Sequence, residues 1–330
     1  MRIIVICNPV SGAGDKGRLH ELYAALRRAG HRADRAVTGG PGQARDLARQ
    51  AVGRADAVLV VGGDGTVCEV AGGLAGSDTP LLIWPAGTEN LVAKSLGFRA
   101  DPGRTLAILQ AGRVETIDLA LANGRHFVVV AGVGFDAEVV ERLTRLRIGH
   151  ITHLSYTGPL WRTFWEHRWP ELAVTADTPT GPFTWQGRGM VFVGNMSRYS
   201  LGLRVIRDAV PNDGLLDVVA MDCRNHLQLI GHSLRTLVRR HVEHPAVSYV
   251  RATRLRITSA GQVSRASKSL SQNHCGTGVS PADFSCFGIG SKSSDVPVEI
   301  DGEFAGHLPL EIIVQPQALR VLIPPRDDRG

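Results

Sequence analysis

A glycine-rich turn around one carboxylate, Gly62-Gly63-Asp64-Gly65-Thr66, has the residue types and spacing of a phosphate site. The apolar run 58–61 before it predicts a buried strand, and the residues after it have helical character. Glycines at such a turn let backbone N–H groups approach a phosphate, and the helix start adds its positive end. A carboxylate facing phosphates needs a metal ion, a proton or a sugar hydroxyl between them, so Asp64 favours a magnesium nucleotide. The alternative is a tight turn in which Asp64 caps the helix.

Strands and helices alternate along the first third of the sequence. The strand patterns cover 3–7, 31–38, 57–61 and 80–84, and helix patterns cover 18–30 and 41–52. Alternation of this kind implies an open parallel α/β sheet, in which ligands bind at the carboxyl ends of the strands. Polar or glycine-rich segments lie at that edge after Cys7, Thr38, Val61 and Trp84. This convergence predicts a ligand site in the first domain.

A dinucleotide fingerprint is an alternative for the same domain. Gly12, Gly14 and Gly17 fit G-x-G-x-x-G, and Asp34 lies near the place of a ribose-binding acid. Residues 8–11 separate the strand from the first glycine, however, where such a fingerprint turns at once. The sequence therefore disfavours a nicotinamide dehydrogenase.

Short strands separated by turn residues replace this pattern after about Ile117, which predicts a β-rich second domain. We place the first domain at 1–118 and the second at 119–314, with helical insertions over 135–147 and 225–242. Residues 259–294 are rich in Ser, Gly and Asn and form an irregular insertion. The segments beside it, 254–258 and 296–300, are expected to pair as a hairpin.

Composition limits the classes of partner. The 330 residues carry a formal net charge of +6, which favours acidic partners such as nucleotides and anionic lipid surfaces. The basic residues are spread along the chain without a block that resembles a nucleic-acid arm, so we expect no nucleic-acid partner. No apolar run approaches the length of a membrane span, and the sequence opens directly into a strand, from which we expect a cytoplasmic location. The five scattered cysteines indicate free thiols.

Five motifs together resemble the diacylglycerol kinase catalytic-domain family, in its branch of bacterial soluble lipid kinases related to sphingosine, ceramide and NAD kinases. In chain order they are Asn8-Pro9 with Ser11-Gly12, Gly62–Thr66 with Glu69, Pro85-Ala86-Gly87-Thr88 with Asn90 and Ala93, Asn212-Asp213-Gly214-Leu215, and Asp301-Gly302-Glu303. The resemblance implies an α/β N-terminal domain with a parallel sheet and a β-sandwich second domain. It places the active site between them and returns the final segment, 315–330, to the first domain.

The same resemblance implies roles for individual residues. ATP would be bound by the turn Gly62–Thr66 together with Asn8, Thr38, Glu69 and Thr88. Asp64 would coordinate Mg²⁺ or orient the nucleotide, and Asp301 or Glu303 would accept the proton of a lipid hydroxyl. A second Mg²⁺ site would use the carboxylate of Asp213 and the backbone carbonyls of Val210 and Leu215.

The residue types alone leave other interpretations open for these motifs. Asp301-Gly302 is a strong signal for a hairpin turn, and 212–215 is equally typical of a plain turn. Thr88 suits a turn or helix N-cap as well as it suits a nucleotide contact.

Two departures from the family pattern flank the phosphate site. Cys68 stands where the family usually has Asn, and Glu89-Asn90-Leu91 stands where Gly-Asn-Asp is usual. We predict an ATP- and Mg²⁺-dependent lipid kinase that phosphorylates a diacylglycerol-like hydroxyl. The alternatives are a kinase of a soluble acceptor such as NAD, and a family member that binds nucleotide or lipid without turnover.

An aromatic segment indicates where the lipid would enter. Trp161, Phe164, Trp165 and Trp169 follow at roughly helical spacing with Arg162 among them, which suits either a membrane interface or packing onto the sandwich. The helix pattern near 225–242 is more typical of an ordinary amphipathic surface helix. We expect a membrane lipid as acceptor and peripheral contact with an anionic membrane, and a homodimer is left open.

Overall fold

The computed structural model describes residues 1–11, 16–146, 157–199, 203–259 and 295–325. The first domain alternates strands and helices in chain order. These are β1 (Arg2–Cys7), α1 (Lys16–Arg28), β2 (Arg32–Val37), α2 (Gln43–Ala51), β3 (Ala57–Gly62), α3 (Asp64–Leu74), β4 (Leu81–Pro85), α4 (Leu91–Leu96) and α5 (Pro102–Ala111). The four strands are parallel in the order β4-β3-β1-β2, which confirms the α/β prediction.

The turn Gly62–Thr66, which we call the phosphate turn after its predicted ligand, follows the central strand β3, and this strand explains why the turn is held firmly. All six of its residues are buried, since helices cover both faces of a parallel sheet. Gly73 lets α3 lie close to α2, because a Cβ there would stand 2.4 Å from the carbonyl oxygen of Arg45. The turn after β3 is therefore fixed by a buried strand on one side and a tightly packed helix on the other.

The second domain is antiparallel and carries three helices longer than one turn among its described residues. Its elements are β5 (Val114–Ala122), β6 (Arg125–Phe127), β7 (Val130–Val133), α6 (Phe135–Arg145), α7 (Thr157–Glu166), β8 (Glu171–Thr178), β9 (Gly181–Gly194), β10 (Leu216–Asp222), α8 (His226–Leu237), β11 (Val247–Ala252), β12 (Arg254–Ser259), β13 (Pro297–Ile300), β14 (Glu303–His307) and β15 (Leu310–Leu322). A short 3₁₀ helix, His241–Glu243, follows α8.

The long strand β9 joins the two sheets of this sandwich. Its first part pairs with β8, and its last six residues, 189–194, pair with β10 and partly with β7. The strand changes sheets at Gly189, whose φ of +133° is a conformation that favours glycine. The predicted β-sandwich class is confirmed.

The last strand connects the two domains. β15 pairs antiparallel with β12 and β5, and near its end Val321 pairs in parallel with Leu81 of β4. A continuous sheet therefore runs from the sandwich into the first domain. Residues 326–330 lie outside the described part of the chain.

The predicted hairpin between 254–258 and 296–300 is wrong. β12 pairs with β8 and β15, whereas β13 pairs with β7 and β14. Because the Asp301-Gly302 turn pairs β14 with one edge of β13 and β7 occupies the other edge, β13 has no free edge for β12. The segments 254–258 and 296–300 consequently belong to different sheets. Of the predicted insertion, 259–294, residues 260–294 lie outside the described part of the chain.

Two helices end earlier than the sequence pattern indicated. α8 ends at Leu237, because Arg239 adopts a positive φ of 59° that breaks the helix. α7 ends at Glu166, so Trp169 lies beyond it. In the part of the chain that the structure describes, no helix is both long and apolar enough to cross a membrane.

Candidate active site

The phosphate turn is built on contacts that only glycine permits. A Cβ on Gly87 would stand 2.5 Å from the Cα of Gly63, so the turns after β3 and β4 touch backbone to backbone. A Cβ on Gly62 would stand 2.6 Å from the Cβ of Thr66. Two glycine turns at the carboxyl edge of the sheet therefore expose their backbone groups side by side, which suits a polyphosphate.

Asp64 is the first residue of α3, but its carboxylate caps a different helix. Its Oδ1 accepts the N–H of Val92 at 3.0 Å, at the start of α4. Burial raises the pKa of Asp64, and the N–H groups of Leu91 and Val92 offset part of that rise. The interpretation in which Asp64 caps its own helix is therefore wrong, since the N-cap of α3 is Gly63 and the carboxylate bonds to the first turn of α4.

Asn8 follows β1, the neighbour of β3, and Thr38 follows β2 on the far side of β1, at the same edge of the sheet. Asn8 Nδ2 donates to Thr66 Oγ1 at 3.0 Å, and Asn8 Oδ1 accepts the N–H of Val10. Thr38 is buried, with its hydroxyl 3.4 Å from the carbonyl oxygen of Cys7. The structure therefore brings Asn8 to the phosphate turn and places Thr38 one strand away.

Glu69 holds a neighbouring loop. Its carboxylate accepts the backbone N–H of Gly42 at 2.7 Å and of Ala44 at 3.1 Å, at the start of α2. This geometry gives Glu69 a positioning role for the segment after Thr38. Its predicted contact with a nucleotide stays a prediction.

Thr88 is exposed in the loop that leads to α4. The N-cap of α4 is Asn90, so the N-cap interpretation of Thr88 is wrong. Asn90 closes the loop, accepting the N–H of Gly87 at 2.8 Å and donating to its carbonyl oxygen at 2.7 Å. The amide of Asn90 thereby holds the second glycine turn in place.

Asp301 is a structural anchor of the hairpin. Asp301 and Gly302 adopt positive φ angles of 49° and 78° and join β13 to β14, so the hairpin-turn interpretation is correct. The buried carboxylate of Asp301 accepts three backbone N–H groups, those of Val128, Val129 and Val130, each at 2.9 Å. Burial nevertheless raises the pKa of Asp301 above its ordinary value.

Glu303 reaches from the second domain to the phosphate turn of the first. A Cβ added to Gly65 would stand 2.5 Å from Glu303 Oε1, so the carboxylate lies directly against that glycine. Its Oε2 accepts a hydrogen bond from Arg125 at 2.6 Å, and the two side chains are 41% and 37% exposed. Glu303 is therefore oriented, solvent-accessible and adjacent to the expected position of the phosphates.

The two departures from the family pattern have simple structural accounts. Cys68 is buried, and its thiol lies 3.0 Å from the carbonyl oxygen of His126. Burial, followed by the negative charge of Asp301, raises the pKa of Cys68 well above its ordinary value, so this thiol is a packing group. Glu89 forms an ion pair with Lys94 at 3.5 Å, within the loop and helix that follow β4.

The donor set for Mg²⁺ differs between the two predicted sites. Across the described ranges, no three His, Cys, Asp or Glu side chains group in a way that could hold a metal by themselves. The half-buried carboxylate of Asp64 nevertheless fits a Mg²⁺ ion that takes its other ligands from water and nucleotide phosphates. Asp213 fits poorly, because Leu215 N–H occupies Oδ1 and the Arg251 guanidinium lies 3.4 Å from Oδ2. Val210 and Leu215 lie in the same turn, and that second site stays a prediction.

A cavity of about 460 Å³ opens in the second domain. Its lining is mainly apolar and comes from α6, α7, α8 and the strands between them, and includes Leu160, Phe164, Met190, Phe192, Leu229 and Leu234. Asp136 and Tyr199 are polar exceptions, and the Tyr199 hydroxyl donates to Asp136 Oδ2. The cavity has the size and chemistry of a site for an apolar ligand.

Sequence reasoning missed several residues that organise the site. Asp118 accepts the N–H groups of Gly214 and Gln317, both at 2.7 Å, and so ties the 212–215 turn to β15. Neither Arg125 nor Asp136 lies in a sequence motif that could have identified it as a site residue. Glu299 did carry a signal, since it is a charged residue inside the apolar strand β13.

Comparisons with known proteins agree with this architecture. Residues 2–122 match the model of the diacylglycerol kinase catalytic domain, and residues 128–271 match that of the YegS C-terminal NAD kinase beta sandwich-like domain. A diacylglycerol kinase of Mycobacterium tuberculosis is 31% identical over 98% of this chain and 95% of its own. A diacylglycerol kinase of Bacillus subtilis is 25% identical over 98% and 96%.

Solved structures extend the likeness to the fold. A protein from Bacillus anthracis assigned to the diacylglycerol kinases superposes with a TM-score of 0.69 at 21% identity, over 98% of each chain. The two domain matches cover the phosphate turn and most of the sandwich, and the M. tuberculosis relative spans nearly the whole chain. The chain therefore belongs to the diacylglycerol kinase family of lipid kinases.

Proposed function

We propose that the protein is an ATP- and Mg²⁺-dependent kinase that transfers the γ-phosphate to the hydroxyl of a diacylglycerol-like lipid at a membrane surface. The observation that carries this proposal is the contact of Glu303 with Gly65. It sets a carboxylate of the second domain against the phosphate turn of the first, where an acceptor hydroxyl and a γ-phosphate would meet.

Glu303 is the better candidate for the general base. Both oxygens of Asp301 already accept backbone N–H groups, and its side chain is buried. Glu303 is accessible and is oriented by Arg125. In the proposed step the acceptor oxygen attacks the γ-phosphorus, the bond from that phosphorus to the ADP oxygen breaks, and the hydroxyl proton passes to Glu303.

The nucleotide would lie along the two glycine turns. Backbone N–H groups near Gly63 and Gly87 would bind phosphate oxygens, with Asn8 and Thr66 at one side and Thr88 at the other. Asp64 would hold Mg²⁺, whose chemistry is to neutralise phosphate charge during transfer.

An exposed apolar face on α7 and α8 supports action at a membrane. His226 at the start of α8 packs against Phe164 and Trp165, which joins the two helices. Trp161 is 66% exposed and Leu227 is 81% exposed, and both belong to an apolar face that also includes Leu160, Trp165, Ile230, Leu234, Leu237 and Val238. Phe164 and Trp169 pack against the core instead, as the packing alternative predicts, and the proposed membrane contact rests on the exposed residues.

The apolar face surrounds the mouth of the cavity. Trp161, Ile230 and Leu234 are exposed and also line the cavity. Exposed arginines on these helices, Arg162 and Arg235, and just after α8, Arg239, suit contact with anionic lipid head groups. A lipid would thus pass from the cytoplasmic leaflet into the cavity without crossing water.

The test is phosphorylation of mixed-lipid vesicles by the full chain with labelled ATP and Mg²⁺, beside Glu303→Gln. Label is expected in a lipid, and Glu303→Gln is expected to lower kcat by about 100-fold or more with little change in ATP affinity. Glu311→Gln is the matched control, because Glu311 also pairs with an arginine of the sandwich, Arg256 at 3.5 Å, but lies outside the site.

Three outcomes would overturn the proposal. Saturable binding of ATP without any labelled lipid would favour the non-catalytic alternative. Phosphorylation of NAD in the absence of lipid would favour the soluble-acceptor alternative. Full activity of Glu303→Gln would remove Glu303 as the base.

A further inference from the structure

The polar residues that line the cavity, which we call its polar end, are Asp136, Tyr199, His232, Ser233 and Thr236. Their chemistry bears on which lipid head groups the cavity admits, an inference that rests on the proposed lipid-kinase function. Three polar residues of α8 also line the cavity, but each is engaged by backbone. Ser233 Oγ donates to Leu229 O at 2.9 Å, Thr236 Oγ1 donates to His232 O at 2.8 Å, and His232 Nε2 lies 3.1 Å from Asp222 O. Asp136 is the carboxylate that faces the cavity.

Asp136 is placed by the start of α6. Its neighbours Phe135 and Ala137 are buried, whereas Asp136 is partly exposed and lines the cavity. The Tyr199 hydroxyl donates to Oδ2, and the N-terminal end of α6 favours negative charge at this position.

Glu299 lies behind Asp136 and is fully buried. Its Oε2 accepts the N–H of Gly302 at 2.8 Å. Burial, followed by the charge of Asp136, raises the pKa of Glu299 well above its ordinary value. Burial also raises the pKa of Asp136, and the hydrogen bond from Tyr199 offsets part of that rise. Two adjacent carboxyl groups do not both ionise readily, and the partly exposed Asp136 is better placed than the fully buried Glu299 to carry the negative charge.

The pair of Asp136 and Glu299 also connects the cavity to the Asp301-Gly302 turn, which precedes the proposed base Glu303. Gly302, which donates to Glu299, stands between Asp301 and Glu303 in the sequence. The polar end of the cavity is therefore the end nearest the proposed base, where the head of an acceptor lipid would lie while its acyl chains occupy the apolar part.

We infer that Asp136, held by Tyr199 and backed by Glu299, determines acceptor specificity by excluding lipids with an anionic head group. A carboxylate that lines a mainly apolar cavity repels a phosphodiester brought beside it, because like charges interact more strongly in apolar surroundings than in water. The expected acceptors are therefore glycerolipids with an uncharged head, such as diacylglycerol. Phosphatidylglycerol, whose head group carries a phosphodiester, is expected to bind poorly.

The test compares dioctanoylglycerol with dioctanoyl phosphatidylglycerol as acceptors for the wild type and Asp136→Asn. The wild type is expected to prefer the neutral lipid in kcat/KM. Asp136→Asn keeps the size and one acceptor oxygen but removes the charge, and it is expected to reduce that preference by about tenfold or more. Asp217→Asn is the matched control, since Asp217 is a buried carboxylate bonded to Tyr249 at 2.7 Å outside the cavity lining.

Calorimetric binding of the same two lipids to the wild type, Asp136→Asn and Glu303→Gln separates this inference from the proposed function. Loss of the binding preference in Asp136→Asn alone would support the inference even if no lipid is turned over. An unchanged preference in a folded Asp136→Asn, or a wild-type preference for phosphatidylglycerol, would overturn it. Thermal unfolding of each variant shows whether it is folded.

Discussion

The phosphate turn and the apolar cavity lie in neighbouring domains but are assembled in opposite ways. The phosphate turn takes five consecutive residues, Gly62–Thr66, and completes itself with one further glycine, Gly87. The cavity takes side chains from α6, α7, α8, β9 and β10, from Phe135 to Thr236 along the chain. One site is a local backbone arrangement, and the other exists only after distant elements have packed.

This difference predicts different consequences of substitution. A backbone site tolerates almost no added atoms, because its neighbours are main-chain groups that cannot move aside. A cavity of side chains tolerates substitution but changes which ligand it admits. Changes at the phosphate turn should therefore act on every acceptor lipid alike, and changes at the cavity or its mouth should act unequally.

The largest effect is expected for Gly87→Ala. The new Cβ would stand 2.5 Å from the Cα of Gly63, and the two turns would have to separate. Since a displacement of about 1 Å at a reacting site can cost about 100-fold, we expect loss of ATP binding and at least that loss in kcat/KM for every lipid. Gly40→Ala is the control, because its Cβ would meet nothing within 4 Å. Normal ATP affinity in Gly87→Ala would contradict the backbone account.

An intermediate effect is expected for Gly65→Ala. Its Cβ would meet Glu303 Oε1, the end of a flexible side chain, rather than backbone. The fold and ATP affinity should therefore be kept, while kcat falls roughly tenfold or more because the proposed base is displaced. Kinetics with separate kcat and ATP binding measurements check this. Equal losses in ATP affinity and kcat would show that Gly65 serves the nucleotide alone.

The smallest effect is expected at the mouth of the cavity. Trp161→Ala removes an exposed aromatic ring from the proposed membrane face, and we expect roughly tenfold weaker binding to anionic vesicles from lost apolar burial. Turnover of a short-chain lipid in solution should change less than turnover of vesicle lipid. Val37→Ser, an exposed apolar residue of the first domain, is the control for co-sedimentation. Unchanged vesicle binding by Trp161→Ala would place the membrane contact elsewhere.

The contrast between the two sites also explains which expectations held. The alternation of strands and helices up to Trp84 specified a parallel sheet, because each element there is set by local hydrophobic periodicity. The pairing of 254–258 with 296–300 was wrong, because strand partners depend on which edges other strands have already taken. The predicted roles of Glu69 at the nucleotide and of Asp301 as base stay predictions, and the bonds that these residues make to Gly42 and Val128 depend on segments that are distant in sequence.

By itself, the sequence determined the phosphate turn, the α/β order of the first domain and the Asp301-Gly302 hairpin, since each depends on backbone conformations that glycine and short-range periodicity dictate. Only the tertiary structure decided that Glu303 lies against Gly65, that Arg125 orients it, and that Asp136 faces a cavity. Those arrangements join residues separated by long stretches of chain. They arise from the packing of whole elements, which no local pattern records.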